Sequence, residues 1–350
     1  MFKLNSLIRP NILKLEAYSS ARDEFKGEAE VFLDANENPF GDLNRYPDPN
    51  QSEIKKKLSK IKNIDSNQIF IGNGSDEVID LVFRIFCEPG VDKALTFSPT
   101  YGMYNVSASI NNIELLKLPL DKNFQIDTDQ LGAYINDESL KLIFICSPNN
   151  PTGNCFNKAS VEYILNNFKG IVIVDEAYID FSLEESYISK VNDFPNLIVC
   201  QTFSKAWGLA GVRVGVAYAN SDIINWFKKV KPPYNVSTLN QQAVLDRLKN
   251  RAQFEIEKNI ILNEKEKLIK RFEELDLVKK IYPSEANFIL IEVSNANEIY
   301  QTLVSQKIIT RNRNKIVRNC LRITVGNSDE NDRLVNTMEK ISRELVTPKA

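Results

Sequence analysis

From residue 69 to residue 220 the chain repeats one pattern: a short apolar run, a polar cluster, then a helical stretch. "KALTFSP", "IELLKLPL", "KLIFICSP", "GIVIVDEAY", "NLIVCQTFS" and "VRVGVAYAN" are rich in Val, Ile, Leu and Phe and end in Pro, Asp, Ser or Asn. Runs of this kind read as strands buried on both faces. Between them, "SDEVIDLVFRIFCEPG" sets Val78, Ile79, Val82, Ile85 and Phe86 on one helical face. Ser75 or Asp76 is the expected cap and Pro89-Gly90 the stop. "NKASVEYILNNFKG" is expected to start at Asn157 and stop by Gly170. Alternating β and α predicts a mainly parallel sheet with helices on both faces, an α/β fold, over residues 40–235.

Pro232-Pro233 in "KPPYNVSTLNQQ" cannot lie inside a helix and marks a boundary. Beyond it the pattern predicts a long charged helix at about 250–275. The strands "ANFILIEV" and "NCLRITVG", a helix from about Asn295 and a last helix after Ser328 follow. Residues 236–350 are thus expected to form a smaller α+β domain, with 1–39 as an N-terminal arm joined to it. A chain of 350 residues is long enough for this division.

Composition excludes several function classes. The net charge is −2, which gives no bulk attraction to nucleic acid or to an anionic membrane. No apolar run approaches the ~18 residues of a membrane span. Pro10 and Arg9 interrupt the N-terminal apolar stretch, so a cytoplasmic protein without a signal peptide is expected. Five cysteines without a CxxC pair argue against a disulfide framework or a zinc site, and each is expected to be a small buried apolar group. With no histidine, a Ser-His-Asp triad, a Cys-His dyad and His-ligated metals are excluded. Acid–base chemistry near neutral pH then falls to Lys, Tyr, a carboxylate or a cofactor.

Four polar clusters follow apolar runs: "GNGSDE" after "IFI", "SPNNPTG" after "KLIFIC", "DEAYIDF" after "GIVIV" and "TFSKAWGLAGVR" after "NLIVCQ". Each alone reads as a turn, a cap or a solvated side chain. If the strands are parallel, all four meet at the carboxyl edge of the sheet, where open α/β sheets bind ligands. Together they suit a cofactor with an aldehyde, a ring nitrogen and a phosphate. The Lys205 amine can form a Schiff base with an aldehyde, and Asp175 can keep a pyridine nitrogen protonated. Asn150 and Tyr178 can bond a ring oxygen. The helix start at Ser75-Asp76, Ser204 and Arg213 can hold a phosphate. Gly208 and Gly211 are expected to let the backbone pass close to it.

"SPNNPTG", "DEAY" and "TFSKAWGLAGVRVG" resemble the fold type I pyridoxal-phosphate enzymes. "LDANENPFG", "RYPDP", "GNGSDEVIDL", "SPTYGMY" and "CLRITVG" narrow the resemblance to the histidinol-phosphate aminotransferase family, over nearly the whole chain. The resemblance implies a large domain with a seven-stranded-type sheet, a homodimer and pyridoxal 5'-phosphate as cofactor. It implies that Lys205 carries the cofactor and moves a proton between substrate and cofactor carbons. It implies Asp175 at the ring nitrogen, Asn150 and Tyr178 at the ring oxygen, and Tyr101 stacked on the ring. Ser75, Asp76, Thr202, Ser204 and Arg213 would hold the cofactor phosphate, with Tyr46 reaching that of the neighbouring subunit. Arg322 would take a substrate carboxylate or phosphate, with Tyr18, Asn36 and Arg311 assisting. The implied substrates are histidinol phosphate, glutamate and 2-oxoglutarate, with no metal, nucleic acid or membrane partner. Within the same fold, an aromatic or broad-specificity aminotransferase or a threonine-phosphate decarboxylase is the alternative; outside catalysis, a cofactor-binding regulator is.

Overall fold

The computed structural model describes residues 2–18 and 30–346. Residues 19–29 of the expected N-terminal arm lie outside the described residues. Seven strands form one sheet: β1 (Ile69–Gly72), β2 (Lys93–Ser98), β3 (Glu114–Pro119), β4 (Leu140–Cys146), β5 (Ile171–Asp175), β6 (Leu197–Thr202) and β7 (Gly215–Ala219). Their order is β1-β7-β6-β5-β4-β2-β3. β2, β3, β4, β5 and β6 pair in parallel, and β7 runs antiparallel to both its neighbours, β6 and β1. The four polar clusters therefore leave the sheet at one edge, as the parallel reading required.

The sheet is buried on both sides with a period of two. Ile69, Ile71, Ile143, Ile145, Val172 and Val174 pack into one apolar cluster; Phe70, Leu142, Phe144, Ile171 and Ile173 pack into the other. Each such side chain stabilises the fold by roughly 1.5–3 kcal/mol when fully buried. The helix Ser75–Phe86 buries a wider face than the periodicity predicts, since Leu81 and Phe83 are inside as well. The N-terminal segment covers them. Ile8 and Ile12 join the same cluster, and the Arg9 amide donates to the Ile85 carbonyl at 3.0 Å. This part of the arm therefore packs on the large sheet, which corrects its expected place in the smaller domain.

A second, antiparallel sheet has the order β10-β11-β9-β8, from β8 (Val278–Ile281), β9 (Phe288–Val293), β10 (Arg311–Asn312) and β11 (Cys320–Thr324). β8 and β10 had no apolar run to announce them: "VKKI" and "RN" are edge strands without a buried residue. The long helix is Arg251–Glu273, and the helices Ala296–Ser305 and Ser328–Val346 cover the small sheet. Thr238–Lys249 is a further helix, capped by Ser237 just past the Pro-Pro break. Its Val244 and Leu248, with Phe254, belong to a large-sheet cluster, so that core continues past residue 235. Four of the cysteines are buried as expected, while Cys155 is half-buried beside Ser182.

Gly74, not Ser75 or Asp76, is at the cap of the helix Ser75–Phe86, and among the described residues no side chain bonds its first-turn amides. Asp76 instead bonds Arg213 and Tyr101. A Cβ on Gly215 would lie 2.2 Å from the Ser75 nitrogen, so β7 touches the helix start where only glycine fits. A Cβ on Gly211 would meet nothing within 4 Å. Gly215→Ala is expected to cost about 1–3 kcal/mol of stability by overpacking, read from the urea midpoint. Gly211→Ala is expected to stay within about 0.5 kcal/mol of wild type. Equal costs at the two positions would show that the contact is not rigid.

Candidate active site

At the carboxyl edge of the large sheet a cavity of about 370 Å³ opens. It gathers twelve of the fifteen residues expected from sequence: Ser75, Asp76, Tyr101, Asn150, Asp175, Tyr178, Thr202, Ser204, Lys205, Arg213, Arg311 and Arg322. Asn36 and Tyr46 lie elsewhere and line a second cavity of about 430 Å³, where Tyr46 stacks on Tyr234 at 4.3 Å. Tyr18 is exposed and lines neither cavity.

Topology explains the convergence. Asp175 is the last residue of β5, and β4 and β6 place Cys146 and Cys200 directly beside it. Asp175 is 2% exposed. The Tyr104 hydroxyl donates to its Oδ2 at 2.7 Å, and the Ala177 amide donates to Oδ1 at 3.2 Å. Burial pushes its pKa from the usual 3.8 up to about 6, against the pull of these two donors. Tyr104 was not among the expected residues. It lies three residues after Tyr101 in "PTYGMY", and its ring is part of the core: it stacks on Phe144 at 4.8 Å.

β6 ends at Thr202, three residues before Lys205, and a turn carries the lysine over the cavity. The Gly208 amide donates to the Lys205 carbonyl at 3.0 Å, and Gly208 takes φ +70°. Gly208 is thus favoured by the turn's conformation, and no protein atom crowds Gly211; among the glycines at the helix start, Gly74 meets the Arg213 side chain and Gly215 meets backbone. Lys205 Nζ lies 5.6 Å from the centre of the Tyr178 ring. Burial, then the positive charge of Arg322, lower the lysine's pKa, partly offset by Asp175 and Asp76.

One end of the cavity is built for an anion. The start of Ser75–Phe86, with glycine at its cap, has first-turn amides without a side-chain partner among the described residues. Arg213, in the left-handed conformation, sets Nη2 3.2 Å from Asp76 Oδ2 and Nη1 3.5 Å from Ser204 Oγ. The Thr202 hydroxyl donates to Ser204 Oγ at 3.0 Å. A Cβ on Gly74 would sit 2.9 Å from Arg213 Nη2, so glycine there keeps the cradle open.

The small sheet closes the other end. Arg322 of β11 donates from Nη1 to Asn150 Oδ1 at 2.6 Å and stacks its guanidinium 5.1 Å from the Phe288 ring. Asn150 in turn donates to the Tyr178 hydroxyl at 3.3 Å. Arg311 faces Arg322 across the ladder, and Arg313, not expected from sequence, lines the same wall. The alternation in "TRNRN" was the signal that would have found it.

This arrangement has a lysine near a buried carboxylate, an anion cradle beside them and arginines opposite. The chain matches the family "Aminotransferase class I and II" over residues 10–338. The chain belongs to the class I and II aminotransferases. It is 50% identical over 344 residues to a histidinol-phosphate aminotransferase of Parabacteroides distasonis, covering 97% of this chain and 99% of that one. It is 51% identical over 346 residues to one of Bacteroides thetaiotaomicron, with the same coverage. The histidinol-phosphate aminotransferase of Sinorhizobium meliloti, solved in complex with pyridoxal-5'-phosphate, superposes with a TM-score of 0.79 at 23% identity over 86% of this chain and 84% of that one. The aminotransferase therefore has the fold that the sequence resemblance implied, with a mainly parallel seven-stranded sheet.

The displaced pKa of Asp175 gives the apo-aminotransferase a stability signature. Below about pH 4 folded and unfolded chains both hold the proton. From there to about pH 6 the unfolded chain releases it first, so stability falls as pH rises. Above that pH the whole cost, about 2–3 kcal/mol, is present. Asp175→Asn in cofactor-free protein is expected to be more stable than wild type by this amount at pH 7, with the difference closing toward pH 4. A pH-independent difference in chemical denaturation would contradict the cause.

Proposed function

We propose that this protein interconverts histidinol phosphate and 2-oxoglutarate with imidazole acetol phosphate and glutamate, a step of histidine biosynthesis, with pyridoxal 5'-phosphate as cofactor. The observation that carries the substrate reading is near-full-length identity of about half to proteins of that name. The residues of the cavity fit the cofactor: a helix start with glycine at its cap and Arg213 for a phosphate, a buried carboxylate for a ring nitrogen, and a lysine with a lowered pKa.

When bound, the cofactor supplies an aldehyde that takes an amine and a ring that draws electrons once its nitrogen is protonated. Asp175 holds the negative charge opposite that nitrogen, and Tyr104 with the Ala177 amide keeps the charge oriented. Asn150 and Tyr178 bind the ring oxygen, and Tyr101 covers the ring. Ser75, Asp76, Thr202, Ser204 and Arg213 hold the phosphate. Lys205 Nζ moves the proton at the substrate carbon, and burial, then Arg322, lower its pKa in the direction that task needs. Arg322, with Arg311, Asn36 and Tyr18, binds the substrate's anionic groups.

The working unit in this reading is a cytoplasmic homodimer. Leu43 and Leu239, which line the second cavity, are exposed to 62% and 61%, and Leu33 and Phe40 of the same N-terminal stretch as Leu43 to 90% and 82%, apolar surface that a second copy would cover. Asn36 and Tyr46 line that second cavity, not the one that holds their own subunit's Lys205, and would complete the partner's site.

Two measurements test the reading. Wild type is expected to favour histidinol phosphate over unphosphorylated histidinol by more than about tenfold in kcat/KM, since a charge-assisted hydrogen bond alone is worth about 1.5–3 kcal/mol. Phenylalanine and threonine phosphate are run alongside. Equal turnover of histidinol or phenylalanine would return the assignment to an aromatic aminotransferase. Carbon dioxide release from threonine phosphate would return it to a decarboxylase.

The second measurement mixes Lys205→Ala and Tyr46→Phe subunits, each impaired alone. If Tyr46 serves the partner's site, one of the two sites in each heterodimer is intact and activity partly returns. No recovery despite verified subunit exchange would place Tyr46 in its own subunit's site or in none.

A further inference from the structure

Three arginines share one face of the small sheet at the cavity wall. β10 and β11 pair Arg311 with Arg322, and the Arg313 amide donates to the Cys320 carbonyl at 2.9 Å, continuing the ladder by one more residue. Side chains alternate across a strand, so Arg311, Arg313 and Arg322 point to the same side, and all three line the cavity. Like charges so placed repel one another. Among the described residues no carboxylate pairs with any of the three. Arg322 is held by Asn150, but the Arg313 side chain has no hydrogen-bond partner among the described residues, and its Nε is buried. Burial, Arg322 and Arg311, in that order, work against its charge and lower its pKa to about 10. A guanidinium kept there at a cost, and holding nothing, is shaped for a ligand.

The charge balance says which kind. Five cationic side chains face the cavity, Lys205, Arg213, Arg311, Arg313 and Arg322, against two carboxylates, Asp76 and Asp175. Arg213 is already paired with Asp76 and belongs to the anion cradle at the opposite end. The remaining excess sits on the β10–β11 wall, with more guanidinium donors than one carboxylate can use.

We propose that Arg313 is a specificity-determining residue that gives the substrate's dianionic group, a phosphate monoester, a further guanidinium beside Arg311 and Arg322. This rests on the aminotransferase reading above and extends it to a residue that the reading does not require. A planar fork binds two phosphate oxygens at once, and a lysine at the same place supplies only a point charge.

The test measures, on holoenzyme, the ratio of kcat/KM for histidinol phosphate to that for histidinol in wild type, Arg313→Gln and Arg313→Lys. Inhibition of histidinol turnover by inorganic phosphate is measured in the same three proteins. Arg313→Gln is expected to lower the ratio about ten- to a hundredfold and to weaken inhibition by phosphate, as loss of charge-assisted hydrogen bonds requires. Arg313→Lys is expected to fall between. A merely structural arginine would lower turnover of both substrates alike, and an unchanged ratio in either variant overturns the proposal. If Arg313→Gln is not soluble, the Arg313→Lys ratio and its phosphate inhibition decide alone. A wild type that does not prefer histidinol phosphate at all would instead overturn the substrate reading.

Discussion

A single buried carboxylate sets the terms for the rest of the site. Asp175 is 2% exposed, and a charge there is costly unless it is bonded and has a partner to meet. The fold supplies the bonds from two directions, the Tyr104 hydroxyl and the Ala177 amide. It supplies the space by flanking Asp175 with Cys146 and Cys200, whose side chains are small. A cationic ring nitrogen would complete the pairing. The apo-protein gives up stability for a group that gains its full value only when that partner is present.

The two sheets meet through the same loop that carries Asn150. Asn149 is fully buried and ties the loop together: its Nδ2 donates to the Pro99 carbonyl at 2.9 Å and to Thr152 Oγ1 at 2.7 Å, and its Oδ1 accepts from Thr100 at 2.8 Å. The Glu285 amide donates to the Gly153 carbonyl at 2.7 Å, and Ser182 bonds the Glu285 carboxylate. A Cβ on Gly153, which takes φ +85°, would lie 2.5 Å from Ser284 Oγ. The arginine wall is therefore positioned against the cofactor-facing residues by short polar contacts, and Arg322 itself is one of them through Asn150. A change in this joint would move the anion-binding wall relative to Lys205 without touching either.

The large sheet was legible because its strands are buried on both faces, and a continuous apolar run is hard to place elsewhere. The polar clusters at strand ends were legible for the same reason: parallel pairing leaves them one edge to share. The small sheet's β8 and β10 were not, because edge strands of four and two residues carry no apolar signature. Tyr104 is a core ring, and only its hydroxyl takes part in the site, which no local pattern announces. Arg313 lies in "TRNRNK", which carries no apolar run to announce a strand or fix a face. Gly215 sits at the start of a strand, and nothing local says that Ser75 will pass within van der Waals distance of it.

The two ends of the cavity, each proposed to hold an anion, differ in how they are built. At the sheet edge, the cradle combines the first-turn amides of Ser75–Phe86 with Arg213, which is neutralised in part by Asp76. Backbone dipoles are fixed by the helix and cannot turn away, so this end suits a ligand that stays. On the opposite wall, Arg311, Arg313 and Arg322 carry full charges on long side chains without a carboxylate among the described residues. Flexible forks can rearrange around anions of different shape, a carboxylate in one half of a transamination and a phosphate in the other. In the proposed reaction such a division would serve a chemistry that retains one phosphate through every cycle while exchanging the anion at the other end.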